Sequence, residues 1–154
     1  RQSVERLRGN AAAGRAECSL RIDFLCTNEA AFLQSPDGSL PAFLPSSFLP
    51  EARLRINAYR QLAELETLKG LKALIKEWRD RFGPPPPPAD YLLRCTELKL
   101  AAANSGIEAV EILGDKLMIT RNGDYVLIDG KFPRLAGNTP EKRLLRAIEL
   151  VRKF

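Results

Sequence analysis

The sequence contains no histidine at all. The commonest general base and the commonest metal ligand among side chains are therefore both missing. Cysteine is scarce: Cys18, Cys26 and Cys95 make an odd number without CxxC spacing. That usage argues against a disulfide framework and against zinc, and fits a reducing cytosol. No apolar run approaches the roughly 20 residues that span a bilayer, and the opening residues, with Arg1, Arg6 and Arg8, lack the apolar segment of a signal peptide. A phosphate-binding glycine loop, a nucleophile elbow and a metal-ligand cluster are all missing as well. Glu77 and Asp80 come nearest to paired carboxylates, but they stand beside Arg79 and Arg81 on what reads as a solvated helix face. Ion pairing or an interface suits them better than acid–base chemistry, so no catalytic, cofactor-binding or metal-binding residue is expected in this chain.

What remains is an ordinary globular composition, 154 residues with 45% hydrophobic and 28% charged, enough for one domain with a real core. The first residue is Arg rather than Met, which points to a piece of a longer polypeptide. The net charge of +5 is uneven. Residues 1–17 carry four Arg against two Glu, and residues 129–154 carry seven basic groups against three acids, while the middle is nearly balanced.

The stretch Leu71 to Pro84 organises the chain. Leu71, Leu74, Ile75, Trp78 and Phe82 follow the i, i+3, i+4, i+7, i+11 spacing of one helical stripe. Gly83 supplies a cap and Pro84 prevents continuation. The same turns gather Glu77, Asp80 and Arg81 on the polar side, a compact charged patch at the end of an anchored helix. Trp78 reads as core, or as core shading into the rim of an interface, and its indole N–H needs a partner if buried.

Along the chain, Val4 to Leu7 reads as a helical remnant, and the Gly9–Gly14 stretch as linker, so residues 1–17 are assigned to the tail of a preceding element and residues 18–154 to one domain. Leu20, Ile22 and Phe24 alternate with charged residues as in a half-buried strand. Residues 27–50, with four prolines and Asp37-Gly38, read as an extended loop pinned by Phe43, Leu44, Phe48 and Leu49. A helix is expected from Glu51 to about Thr67, with Gly70 marking a break before the organising helix. Residues 84–88 form a stiff proline connector, either a spacer or a ligand for SH3 or WW modules. A third helix covers about Ala89 to Asn104. Strands are expected at Ile107–Leu113, Lys116–Arg121, Tyr125–Ile128 and Lys131–Leu135, joined by Gly-Asp, Asn-Gly and Asp-Gly turns, the last on an edge because of Pro133. Thr139 and Pro140 open a final helix to about Phe154, with Leu144, Leu145, Ile148 and Val151 lying back on the sheet. The sum is an α+β domain: three helices packed on an antiparallel meander, a closing C-terminal helix, and an early strand able to join the sheet.

The basic C-terminal segment (Lys131, Arg134, Lys142, Arg143, Arg146, Arg152, Lys153) can in principle contact phosphates. Its charges scatter around the helix with only Phe132 and Phe154 as aromatics, so a solvated face competes with that reading.

With these elements placed, residues 44–107 resemble the C-terminal (TRCF) domain of the bacterial transcription-repair coupling factor, the Mfd translocase. The resemblance rests on Leu44-Pro45, Phe48-Leu49-Pro50, Arg53-Leu54, Tyr59-Arg60-Gln61-Leu62 and the run Glu77-Trp78-Arg79-Asp80-Arg81-Phe82-Gly83-Pro84. It continues through Pro87, Leu92-Leu93, Leu98-Lys99 and Gly106-Ile107, and is thinner over residues 108–154. Arg6-Leu7-Arg8-Gly9 is similar to the end of the helix that precedes this domain in the family. The chain departs from the family in a longer loop at about 27–42, in Trp78 at a generally aliphatic position, and in the five-proline run.

The resemblance implies a non-catalytic regulatory domain of an ATP-driven double-stranded DNA translocase that removes stalled RNA polymerase and recruits nucleotide excision repair in the bacterial cytoplasm. ATP and Mg would belong to the parent's motor, with no cofactor in this domain. The domain would dock on the UvrB-like N-terminal module of the same polypeptide, cover the UvrA-binding surface and hold the protein repressed. The family's contacts fall here on Glu77, Asp80 and Arg81. A nucleic-acid-contacting domain acting through the basic C-terminal helix is the alternative.

Overall fold

The computed structural model describes residues 18–34 and 39–154; the linker and helix remnant read into residues 1–17 fall outside them. The elements run β1 (Ser19–Ile22), β2 (Leu25–Cys26), α1 (Glu29–Gln34), β3 (Leu40–Pro41), α2 (Ala52–Glu64), α3 (Leu68–Phe82), α4 (Pro87–Asn104), β4 (Ala109–Leu113), β5 (Lys116–Arg121), β6 (Asp124–Tyr125) and α5 (Pro140–Arg152).

The main sheet has the order β1-β4-β5-β6. Alternation along β4 and β5 turns Val110, Ile112, Leu117 and Ile119 to the buried side, all at 1% exposure or less. The meander β4-β5-β6 is antiparallel, and β1 does join it, parallel to β4 with Leu20 opposite Val110 and Ile22 opposite Ile112. At the β5–β6 turn, Asn122 (φ 56°) and Gly123 (φ 80°) are both left-handed, the two-residue hairpin that Asn-Gly favours.

Two of the expected strands are shorter or missing. The segment expected at Tyr125–Ile128 keeps only Asp124–Tyr125 as strand, extended by one bond from the Val126 N–H to the Ile119 carbonyl at 2.7 Å. Lys131–Leu135 forms isolated bridges instead of a strand. Pro133 has no N–H to give, and the backbone of the segment bonds beside β5 where the Leu117 N–H reaches the Pro133 carbonyl and the Leu135 N–H reaches that of Asp115, just before the strand.

Residues 27–50 are not simply extended. They hold the six-residue α1 and the strand β3, which pairs parallel with β2. Asn28 starts α1 by accepting the Ala31 N–H at 2.9 Å, a cap placed directly before a helix-forming run. The expected anchors hold: Phe43, Leu44 and Leu49 are buried, and Phe48 packs edge-on against Phe82 with ring centroids 6.0 Å apart.

The boundary between α2 and α3 lies earlier than Gly70. α2 ends at Glu64, and Thr67 caps α3 by accepting the Gly70 N–H at 2.9 Å. A Cβ on Gly70 would stand 3.2 Å from Thr67 Oγ1 and 3.3 Å from Leu65 Cδ2. Gly70 is therefore a helical residue that admits its own cap, not a break. α4 likewise starts inside the proline run, with Pro87 in its first turn where a missing N–H costs nothing.

Two apolar clusters form the core. One lies between the sheet and the helices α4 and α5, and includes Cys95, Leu98, Ala102, Leu144, Ile148 and Val151. The other lies among α2, α3 and α4, and includes Leu62, Leu71, Leu74, Trp78, Ala89 and Leu93. Helix α4 contributes to both, so it is the spine of the fold, while α3 is a flank. α5 opens as expected, Thr139 accepting the Lys142 N–H at 3.2 Å. Its buried side is Leu144, Ala147, Ile148 and Val151, whereas Leu145 is 41% exposed, about 100° around the helix from Leu144.

Candidate interface on the α2–α3 face

The loop before α2 is tied to that helix by side chains. Arg55 Nη1 donates to the carbonyls of Leu49 at 2.6 Å and Pro50 at 2.9 Å, and the Leu44 N–H donates to Tyr59 Oη at 2.8 Å. Across the seam, Trp78 is fully buried and its Nε1–H donates to Gln61 Oε1 at 3.4 Å. The Trp78 stripe is thus core, and the seam holds α3 at a fixed rotation about its axis.

That rotation decides where the charged patch points. Glu77 and Arg81 lie about 40° apart around α3 and flank the buried stripe; Arg81 Nη1 stands 3.5 Å from Glu77 Oε2, with both side chains about half exposed. Arg81 also sits over the Phe82 ring, 4.8 Å from its centroid. Asp80 lies about 60° beyond Glu77, further from the seam; it is exposed and makes no ion pair among the described residues. The three residues therefore form a continuous exposed face, with Glu77 and Arg81 coupled and Asp80 projecting alone. Gly83 ends α3 at φ 90°, ψ −178°, its N–H on the Arg79 carbonyl at 3.0 Å, and stops the helix directly after Phe82.

Two clefts line the seam beside this face. One, of about 240 Å³, is lined by Leu54, Ala58 and Phe82 together with the polar Asn57, Arg60, Gln61 and Arg81. The other, of about 310 Å³, includes Gln61, Glu64, Leu74 and Glu77. Sequence periodicity on α3 alone gave no sign of Arg60 or Glu64; the Tyr59-Arg60-Gln61 run held the signal, legible only once α2 lies against α3.

The basic C-terminal segment looks different. Arg134 pairs with Asp115 at 2.7 Å, Arg146 with Glu149 at 2.9 Å and Arg152 with Glu97 at 3.5 Å. Three of its cations are thus already opposed by carboxylates. Burial pushes the Cys95 thiol up to about 12 and raises Cys18 as well, which keeps both neutral and unreactive. Among the described residues no group of His, Cys, Asp or Glu is placed to hold a metal ion, and no helix is long and apolar enough to cross a membrane.

Fold and surface together define a small α+β domain whose distinctive chemistry is an exposed charged face on a buttressed helix pair. The TRCF domain model matches residues 39–126, from β3 through Val126 and including all of α2, α3 and α4, and the chain belongs to that family. It is 35% identical over 72 residues to the transcription-repair-coupling factor of Escherichia coli strain K12, covering 47% of this chain and 6% of that protein. Similar proteins of the same name occur in Mycobacterium tuberculosis (35% over 74 residues) and Bacillus subtilis (26% over 84 residues). The chain spans 6–7% of the length of these relatives. Its fold matches a crystal structure of the C-terminal domain of transcription-repair coupling factor with a TM-score of 0.62 at 15% identity, over 90% of this chain and 95% of that one. The α+β class expected from the sequence is the one observed.

Proposed function

We propose that this chain is the C-terminal regulatory domain of a transcription-repair coupling factor and acts as an autoinhibitory clamp. It docks through Glu77, Asp80 and Arg81 on the UvrB-like N-terminal module of its own polypeptide and masks the surface that binds UvrA. The parent, an ATP-driven DNA translocase working in the bacterial cytoplasm, stays restrained until it engages stalled RNA polymerase. The domain itself performs no chemistry; ATP and Mg serve the parent's motor.

The observation that carries this reading is the charged face at the end of α3, exposed yet fixed in direction by the buried Trp78–Gln61 seam, inside the span that matches the family. Charges on a rigid helix face contribute register and specificity to an interface more than bulk affinity. Release then needs only a population shift of a few kcal/mol between docked and undocked arrangements.

The test is a titration of this chain against the N-terminal module of its parent, with the Glu77→Ala/Asp80→Ala/Arg81→Ala variant alongside. Binding by the wild type and its loss in the variant supports the clamp and its face. Binding that survives in the variant moves the clamp to another surface. If the folded wild type ignores the module but binds duplex DNA with a steep salt dependence, the nucleic-acid alternative replaces the clamp.

A further inference from the structure

Along the α2–α3 seam, like charges face like. Arg60 and Arg81 line one cleft together, with no carboxylate in its lining. Glu64 and Glu77 line the next, with no cation in its lining. Gln61 borders both clefts. Because Arg60 to Glu64 and Glu77 to Arg81 are each four residues apart, the positive and negative levels are separated by one helical turn, about 6 Å along the axis. Arg60 and Glu64 have no ion-pair partner among the described residues, and the Glu77–Arg81 pair runs along α3 rather than across the seam. A seam selected for stability alone would place opposite charges opposite each other. This one leaves Arg60 and Glu64 without an ion pair among the described residues, each sharing a cleft with a like charge from α3 and beside apolar surface: Ala58 and Phe82 at the positive level, Leu65 and Leu74 at the negative one.

We infer that the α2–α3 groove is a seat for a partner helix carrying one carboxylate and one cationic side chain a single turn apart. The carboxylate enters the cleft between Arg60 and Arg81, where Asn57 can donate a further hydrogen bond. The cation enters the cleft between Glu64 and Glu77. A helix is the fitting occupant because its own i, i+4 spacing repeats the 6 Å period of the groove. This inference rests on the docking face proposed above and adds α2 to it, with Arg60 and Glu64 as residues that set the charge pattern of the partner.

The probe is a set of three hydrocarbon-stapled, alanine-rich helical peptides of about 15 residues, identical except for one i, i+4 pair: Glu/Lys, Glu/Glu or Lys/Lys. Titrated into the isotopically labelled chain, the Glu/Lys peptide is expected to bind roughly fivefold tighter than the other two. Its amide shifts should fall on residues 54–65 and 70–82. Arg60→Glu should leave Glu/Lys no tighter than Lys/Lys, and Glu64→Lys should leave it no tighter than Glu/Glu, because each swap makes its cleft neutral. Both residues are exposed, and the Trp78 emission reports that each variant is folded. Equal binding of the three peptides, no binding, or an order unchanged by Arg60→Glu would overturn the inference. The peptide assay and the module titration fail separately. A charge pattern obeyed without module binding removes the clamp and keeps the groove as a seat for another helix. Module binding lost in the triple-alanine variant, with no peptide preference, keeps the clamp and removes the groove.

Discussion

The indole N–H of Trp78, on α3, donates to the side-chain carbonyl of Gln61, on α2, a polar tie at the edge of the buried apolar cluster between the two helices. The bond is long at 3.4 Å, and the ring is fully buried, so packing contributes more here than the hydrogen bond. Trp78→Ala is expected to cost about 3–5 kcal/mol. Gln61→Met, which leaves the indole N–H unpaired, should cost about 1 kcal/mol, the low end for an unmade buried bond. Urea unfolding followed by far-UV circular dichroism, which does not depend on the tryptophan, measures both. A Gln61→Met cost as large as that of Trp78→Ala would show that the polar tie, not the packing, holds the seam.

The charged face should be separable from stability. The Glu77–Arg81 pair is about half exposed on both sides, a setting in which an i, i+4 pair contributes roughly 0.3–0.5 kcal/mol. Glu77→Lys and Asp80→Lys are expected to move the urea midpoint hardly at all while abolishing docking to the N-terminal module. A large stability loss in either variant would mean that the face is structural.

Gly83 has open space around the position a Cβ would take, but its backbone sits at φ 90°, ψ −178°. An L side chain is strained there whatever the room, by on the order of 1–3 kcal/mol. Gly83→Ala should therefore destabilise by that amount without any steric clash. A neutral substitution, measured by thermal melting, would mean that the α3 terminus relaxes freely.

Desolvation pushes the Cys95 thiol up to about 12 and raises that of Cys18 above the ordinary thiol value. A folded pKa above the unfolded one contributes stability that is present below about pH 9 and is lost as pH rises toward 12. Unfolding free energy should fall across that alkaline window, less steeply in Cys95→Ala. At pH 8, a thiol reagent should modify Cys26, which is half-buried, and reach Cys18 and Cys95 only in denaturant. Rapid labelling of all three in the native protein would contradict the burial that raises them.

The helices were the most legible part of the sequence, because 3.6-residue periodicity and caps such as Thr139-Pro140 are local signals. The α2–α3 boundary is less legible, because a glycine inside a helical pattern reads as a breaker, whereas Gly70's lack of a side chain serves the Thr67 cap. α1 carries only the Asn28 cap as a local signal, and six residues among prolines are too few for a periodic pattern. The parallel β1–β4 pairing joins residues about 90 apart in sequence, and no local pattern encodes such a partner. At the candidate site the same division holds. Helical arithmetic brought Glu77 and Arg81 together, whereas Arg60 and Glu64 enter only through the packing of a second helix.

Because α4 is covered on one side by the sheet and α5 and on another by α2 and α3, no plane divides this domain into halves that each keep a core. A scission at residues 84–86 leaves the α2–α3 fragment without Ala89 and Leu93 and exposes a seam it cannot close. The charged face therefore rests, through α4, on the same helix that backs the sheet.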